Sequence, residues 1–248
     1  MGVGKFLKRG VAALAVALGL ALPAWEHASA QEPKAMSEAF ERFRYSFFED
    51  KYSARDGLDT MSLARLEGEE RATAEDLLIR YLPDARGIIG LGVLRSHRAE
   101  PHLVALFENE RRMEARSKRP GREKWSPRRL MYVADALLRI RFDPRWSAAV
   151  IEVLPSAKQW TDRLAAAEAL VHAPDPDAVR ALTRALDDPH NLVRHHAARA
   201  LILLHGLPAE PDGKEHMMYR VMSDEAARRE GGKRDILAAV AGRAIVTK

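Results

Sequence analysis

The chain has 248 residues, with 40 lysines and arginines against 35 aspartates and glutamates, and it contains no cysteine. The lack of cysteine excludes disulfide scaffolds, thiol nucleophiles, iron–sulfur clusters and cysteine-bound zinc. Hydrophobic residues make up 47% of the chain, an ordinary share for a folded globular protein. Composition therefore bounds the architecture but names neither a reaction nor a ligand.

Residues 1–30 have the three parts of a secretory signal peptide. Basic residues near the start precede an apolar run over 11–22, and the small residues Ala-Ser-Ala follow at 28–30. The run is shorter than the about 20 apolar residues that a spanning helix needs, and an uncleaved anchor is the alternative. We expect cleavage near Ala30, which makes the mature chain periplasmic or secreted and not an integral membrane protein.

Residues 31–83 form a helical, aromatic-rich segment. Phe40, Phe43 and Phe47 are spaced at i, i+3 and i+7, which places them on one helical face. The main interpretation is an N-terminal cap that seals the next part of the chain. The alternative is an exposed aromatic face that docks a partner protein, because aromatic residues are enriched at interface cores.

A repeat follows. The chain reads RLAAAEAL from Arg163 and RHHAARAL from Arg194, an offset of 31 residues. Fixed-period similarity of this size indicates stacked helices. Two columns of small residues extend it upstream, namely Gly90, Ala134, Ala167 and Ala198, and Gly92, Ala136, Ala169 and Ala200. Asp-Pro at 143–144 and 175–176 and Ser-Pro at 126–127 predict helix N-termini. Arginine recurs at one repeat position, and these side chains are expected to hold the turns before their helices: Arg86, Arg163, Arg194 and, as the fourth member, Arg228.

These units resemble HEAT-like repeats, of the short type also found in phycobilisome lyases. The resemblance covers residues 84–206 and implies an all-α fold, a right-handed α-solenoid of stacked antiparallel helix pairs. A degenerate repeat or cap follows over 207–248. The bilin lyase activity of that branch needs a pigment and a client protein in the cytoplasm, so it is not expected of an exported chain.

The repeats are interrupted by a basic insertion over 108–129. It holds nine basic and four acidic residues, a net charge of +5. One interpretation is a solvated loop with helical ends, and the other is a contact for an anionic surface. Its candidate partner-binding residues are Arg111, Arg112, Arg116, Lys118, Arg119, Arg122 and Lys124.

No catalytic constellation is visible. Histidines cluster in the last third of the chain, including His172, His190, His195 and His196, but none falls in a His-Glu-x-x-His pattern. Adjacent His195 and His196 point about 100° apart on a helix and cannot easily share one ion. Nucleophile elbows, P-loops and dinucleotide glycine patterns are also missing. We therefore expect no enzyme activity, no metal and no cofactor.

The sequence favours a protein-binding scaffold or adaptor with an unidentified protein partner. Its expected surface is built from the second helix of each unit and includes Arg180 and Arg184. One alternative is a binder of anionic envelope components through the basic insertion, and another is an inhibitor or immunity protein for a secreted enzyme. The expected compartment disfavours nucleic acid as a partner.

Overall fold

The computed structural model describes residues 36–50, 57–117, 126–209 and 216–246. Within these ranges the regular structure is helical, with twelve α-helices and no strand. The predicted signal peptide over 1–30 lies outside the described residues. In chain order the α-helices are α1 (Glu38–Arg44), α2 (Thr60–Ala64), α3 (Gly68–Arg80), α4 (Ala85–Val93), α5 (Glu100–Ser117), α6 (Arg128–Ile140), α7 (Pro144–Ser156), α8 (Trp160–Ala169), α9 (Pro176–Ala185), α10 (Asn191–Leu204), α11 (Met217–Val221) and α12 (Ala226–Val240).

The helices from α3 onward pack in consecutive pairs, which are α3 with α4, α5 with α6, α7 with α8, α9 with α10, and α11 with α12. The second members of these pairs also contact one another in order, so that α4, α6, α8, α10 and α12 form one continuous row. The sequence predicts that α9, which carries Arg180 and Arg184, is the second helix of its unit. Instead, each small-residue helix packs more extensively on the helix before it than on the helix after it, so α9 is the first helix of its pair.

The small-residue columns explain how the row packs. A Cβ atom added to Gly92 of α4 would lie 2.8 Å from the Cα atom of Ala136 in α6. Larger side chains at these positions would hold the two helices apart. In the other small-residue column, Ala134, Ala167 and Ala198 are fully buried. The predicted role of the small columns in close helix packing is confirmed at this contact.

The N-terminal aromatic residues are inside the protein. Phe40, Phe43 and Phe47 are 4%, 0% and 0% exposed. The rings of Phe43 and Phe47 lie 5.0 Å apart between centroids, on α1 and the π-helical turn Tyr45–Glu49 that continues it. An exposed docking face at these three rings is therefore wrong, because the apolar side chains pack into the core instead of facing water.

Helix boundaries follow the turn chemistry. The Asp143 and Asp175 side chains accept hydrogen bonds from the N–H groups of Arg145 and Asp177, 2.9 and 2.8 Å long, and each precedes a proline at the first helical position. The helix predicted from Ser-Pro at 126–127 begins one residue later than expected. Pro127 is the N-cap of α6, and Arg128 is its first residue.

Two arginines of the repeated column hold the turn before their own helix, as expected. The Nη1 of Arg163 donates to the carbonyl oxygens of Ala157 and Lys158, at 3.0 and 3.3 Å. The Nη1 of Arg194 donates to the carbonyl oxygens of Asp188 and Pro189, at 2.8 and 3.1 Å. Each of these side chains satisfies carbonyl groups that the preceding turn leaves unpaired.

The two outer members of the column behave differently. Arg86 donates to the carbonyl oxygen of Phe47 at 3.1 Å, so it fastens the aromatic segment to α4. In the last unit the turn contact belongs to Arg229, whose Nη1 lies 3.4 Å from the carbonyl oxygens of Ser223 and Asp224. The sequence predicted this contact for Arg228, one residue before the arginine that makes it.

Candidate binding cavity

A cavity of about 910 Å³ lies against the row of second helices. Its charged lining comes from α6, α8 with the short 3₁₀ turn that follows it, and α10, together with Arg95 and Arg141, which follow α4 and α6. Six side chains form the polar centre, namely Asp135, Arg139, Glu168, His172, His196 and Arg199. Apolar groups surround them, including the half-buried Tyr132 and the exposed Phe142 and Val246. The cavity can therefore make both ionic and apolar contacts.

Asp135 is the most enclosed acid of the cavity. Its Oδ2 accepts a hydrogen bond of 2.8 Å from the Nε of Arg139, one turn further along α6. Its Oδ1 lies 3.8 Å from the Nε2 of His172. Burial raises the pKa of Asp135 because a charged carboxylate loses hydration, and the positive charge of Arg139 opposes this effect. The side chain thus keeps its proton to a higher pH than an ordinary aspartate does.

Glu168 and His196 contact each other in the cavity wall, with 3.1 Å between Oε1 of Glu168 and Nδ1 of His196. Burial among protein atoms raises the pKa of Glu168, and the nearby charge of Asp135 adds to the increase. Burial lowers the pKa of His196 to about 4, with further lowering by His195 and Arg199. At neutral pH the imidazole is therefore uncharged, and it contributes a polar but neutral group to the cavity wall.

These lining residues were missed in the sequence, although a signal for them exists. The residue between the two small columns is the one that faces the cavity on α6, α8 and α10. From α4 to α10, the residues at this position are Leu91, Asp135, Glu168 and Arg199. The residues four positions later are Arg95, Arg139, His172 and Leu203. Residues four apart share a helical face, so these two columns predict a charged stripe once the helices are known to stack.

The structure separates the predicted partner-binding arginines from the cavity. Arg180 and Arg184 are exposed on α9, and α9 contributes no side chain to the cavity lining. Arg180 also forms an ion pair with Asp177. The cavity therefore lies on the other row of helices from the one that the sequence favoured, and a role for these two arginines in partner binding stays a prediction.

The first part of the basic insertion, over 108–117, is helical, because α5 continues through Ser117. The Nη1 of Arg111 lies 2.7 Å from a carboxylate oxygen of Glu114 and 2.9 Å from one of Glu152. Its charge is therefore already paired within the protein. Arg112 and Arg116 are exposed. The other predicted contacts, Lys118, Arg119, Arg122 and Lys124, lie outside the described residues.

The clustered histidines are distributed over separate surroundings. His196 lines the cavity, whereas His190 stacks on Trp160 with 3.9 Å between ring centroids. Burial lowers the pKa of His195, and its ring lies 5.3 Å from that of His196 at a steep angle. Among the residues that the structure describes, no three His, Asp or Glu side chains meet in a geometry that could hold a metal ion.

Comparison with known families identifies the repeats. A family model described as HEAT repeats matches residues 147–230. This segment is similar to HEAT repeats. The matched segment runs from within α7 to within α12, so it includes the Glu168, His172, His196 and Arg199 side of the cavity. No curated protein matches the chain. In the part of the chain described, no helix combines the length and the apolar character needed to cross a membrane.

Proposed function

We propose that this HEAT-repeat chain is a non-enzymatic scaffold or adaptor that binds a protein partner through its repeats. The observation that carries the proposal is the cavity against α6, α8 and α10, which joins guanidinium, carboxylate and apolar groups on one surface. Its volume of about 910 Å³ is at the upper end of the roughly 300–1,000 Å³ common for ligand sites. A segment of a folded or extended polypeptide would fit a site of this size.

The architecture that we propose for the scaffold is a right-handed solenoid of antiparallel helix pairs. The alternation of close pairs with a continuous second row supports this arrangement. In repeat proteins of this kind each unit contacts mainly its neighbours, and the stacked units together offer an extended binding surface. The polar α12 would then serve as the terminal cap.

Export is the second part of the proposal. It rests on the basic start, the short apolar run and the Ala-Ser-Ala site of residues 1–30. We expect the mature protein to begin at Gln31 in the periplasm or outside the cell. Intact-mass analysis and N-terminal sequencing of the protein recovered from cell fractions test this expectation. A full-length chain in the cytoplasmic fraction would contradict it.

The binding role is tested by crosslinking in intact cells, followed by capture of the tagged protein and mass spectrometry. A matched variant carries Arg111, Arg112, Arg116 and Lys118 changed to Ser. We expect one stoichiometric protein partner that the variant still captures and that binds the purified chain in calorimetry. If this partner is a secreted enzyme whose turnover falls on binding, the scaffold acts as an inhibitor.

The competing candidate is a binder of anionic envelope components, supported by the exposed Arg112 and Arg116 on α5. In that case the same experiment captures envelope lipid or glycan and no protein, and the capture is lost in the Ser variant. Ionic strength separates the two candidates further, because contacts with a phosphate-rich surface weaken steeply with salt and a packed protein interface does not.

A further inference from the structure

The arginines that line the cavity differ in whether a carboxylate of the protein binds them. Arg139 is bound to Asp135, as described above. Arg95 and Arg199 also line the cavity and are exposed, and within the described part of the chain neither guanidinium group makes a hydrogen bond or an ion pair, although the charge of Arg199 lowers the pKa of nearby Glu168. The carboxylates differ from them, since Asp135 is bound to Arg139 and Glu168 lies 3.1 Å from His196. The lining holds four arginines, Arg95, Arg139, Arg141 and Arg199, against the two carboxylates, so the cavity carries a net positive charge.

Exposed apolar side chains accompany these free guanidinium groups. Phe142 is 38% exposed and Val246 is 42% exposed at the cavity. Val246 is held in place because its N–H donates to the carbonyl oxygen of Leu204, 2.8 Å away. Large apolar groups that are fixed at the wall of a cavity and left in contact with water are typical of binding sites.

We propose that the cavity binds an acidic peptide segment of the partner protein, an inference that rests on the proposed scaffold function. Arg199 and Arg95 bind carboxylates of the segment, and Phe142 and Val246 receive its apolar side chains. Guanidinium groups form strong, two-point hydrogen bonds to carboxylates. Phosphate is the poorer match, because its higher charge would be repelled by Asp135 and Glu168 in the same cavity.

The test begins with selection of peptides from a random display library on the purified mature protein. The enriched peptides are then labelled with fluorescein and titrated by fluorescence polarisation. We expect sequences that combine Asp or Glu with large apolar residues. Enrichment of basic or uncharged sequences, or of none, would overturn the proposal.

The variants locate the binding site. Arg199→Ala should weaken the dissociation constant of an acidic peptide about tenfold, the cost of losing one charged hydrogen-bonding group. Arg95 has a positive φ of 49°, so Arg95→Asn is the suitable change there, because asparagine tolerates that conformation. Arg234→Ala, exposed on α12 and outside the cavity lining, is the matched control and should leave the constant unchanged. Since all three positions are exposed, thermal unfolding should be alike in all of the proteins.

Two results distinguish this inference from the scaffold proposal. If crosslinking finds a protein partner whose affinity is unchanged by Arg199→Ala and Arg95→Asn, the scaffold stands and the cavity is not its peptide site. If acidic peptides bind the cavity but cells yield no protein partner, the cavity site stands and the scaffold proposal fails.

Discussion

The guanidinium group of Arg163 binds the carboxylate of Asp188 at two points, with Nε to Oδ2 at 2.7 Å and Nη2 to Oδ1 at 3.0 Å. The same Asp188 Oδ1 accepts a hydrogen bond of 2.8 Å from the N–H of His190. Because Arg163 also holds the turn before α8, this side chain joins the turns of two successive units. The contact raises the pKa of Arg163, so the charge persists at every physiological pH. Spacing between the repeats is thus fixed by side chains as well as by helix packing.

Among the arginines that hold the turns, Arg194 has an almost fully buried side chain. It is 3% exposed and donates to five carbonyl oxygens, those of Asp188, Pro189, Val221, Met222 and Ser223. Burial lowers its pKa, because the charge loses hydration that only the carbonyl groups replace. We expect Arg194→Met to reduce the free energy of unfolding by about 3 kcal/mol, since it leaves buried carbonyl groups without donors.

Urea unfolding followed by circular dichroism measures this effect. Arg184→Met on the exposed side of α9 is the matched control and should change the free energy by no more than about 0.5 kcal/mol. Equal stabilities for the two variants would mean that the carbonyl groups find water or other donors when the guanidinium is removed.

The sequence predicted those features whose cause is local or repeated. An Asp-Pro pair caps and starts a helix whatever surrounds it, and small residues at a fixed period require close helix packing. The cavity could not be predicted in this way, because Asp135, Glu168 and Arg199 belong to three different helices. Their common position becomes meaningful only when the helix row is known. The aromatic residues near Phe43 were ambiguous for a related reason, since periodicity identifies a face but not what covers it.

The cap at the start of α9 gives a local prediction. Asp175 accepts a hydrogen bond of 2.8 Å from the N–H of Asp177, and its other carboxylate oxygen accepts one of 3.1 Å from the hydroxyl of Ser147. Asp175→Ala removes both contacts and should cost about 1–2 kcal/mol of unfolding free energy. Asp175→Asn keeps an acceptor for the N–H group and is the control. If thermal unfolding shows no difference between the two variants, the cap contributes little.

His196 predicts a loss of stability in acid. Burial lowers the pKa of His196 from its ordinary value of 6.5 to about 4 in the folded protein, so between these pH values the unfolded chain binds a proton that the folded chain does not bind. Folding is therefore weakened as the pH falls from 6.5 toward 4, by on the order of 3 kcal/mol once both states are protonated. Asp135 and Glu168, whose pKa values are raised, oppose this trend.

His196→Gln isolates the contribution of the imidazole, because both proteins retain the two carboxyl groups. Urea unfolding at a series of pH values should show that the wild type loses more stability than the variant below pH 6.5. Nuclear magnetic resonance titration of the ring should give a midpoint near 4. A midpoint near the ordinary value of 6.5 would show that the imidazole is hydrated in solution.

Adjacent glycines in α12 provide a comparison within one helix. A Cβ atom added to Gly232 would lie 2.6 Å from the backbone nitrogen of Val221 in α11, which cannot move without shifting that helix. A Cβ atom added to Gly231 would instead meet the end of the Arg220 side chain, which can rotate away. We expect Gly232→Ala to lower the free energy of unfolding by about 1–3 kcal/mol, the usual range for overpacking.

Gly231→Ala is the matched control for this change. Alanine stabilises a helix by about 1 kcal/mol relative to glycine. This gain offsets the cost of displacing the Arg220 side chain, so the free energy of unfolding should stay near that of the wild type. Thermal and urea unfolding of the two variants measure the difference. A stable Gly232→Ala protein would mean that α11 and α12 can separate without loss, and that the last unit is packed more loosely than its backbone distances indicate.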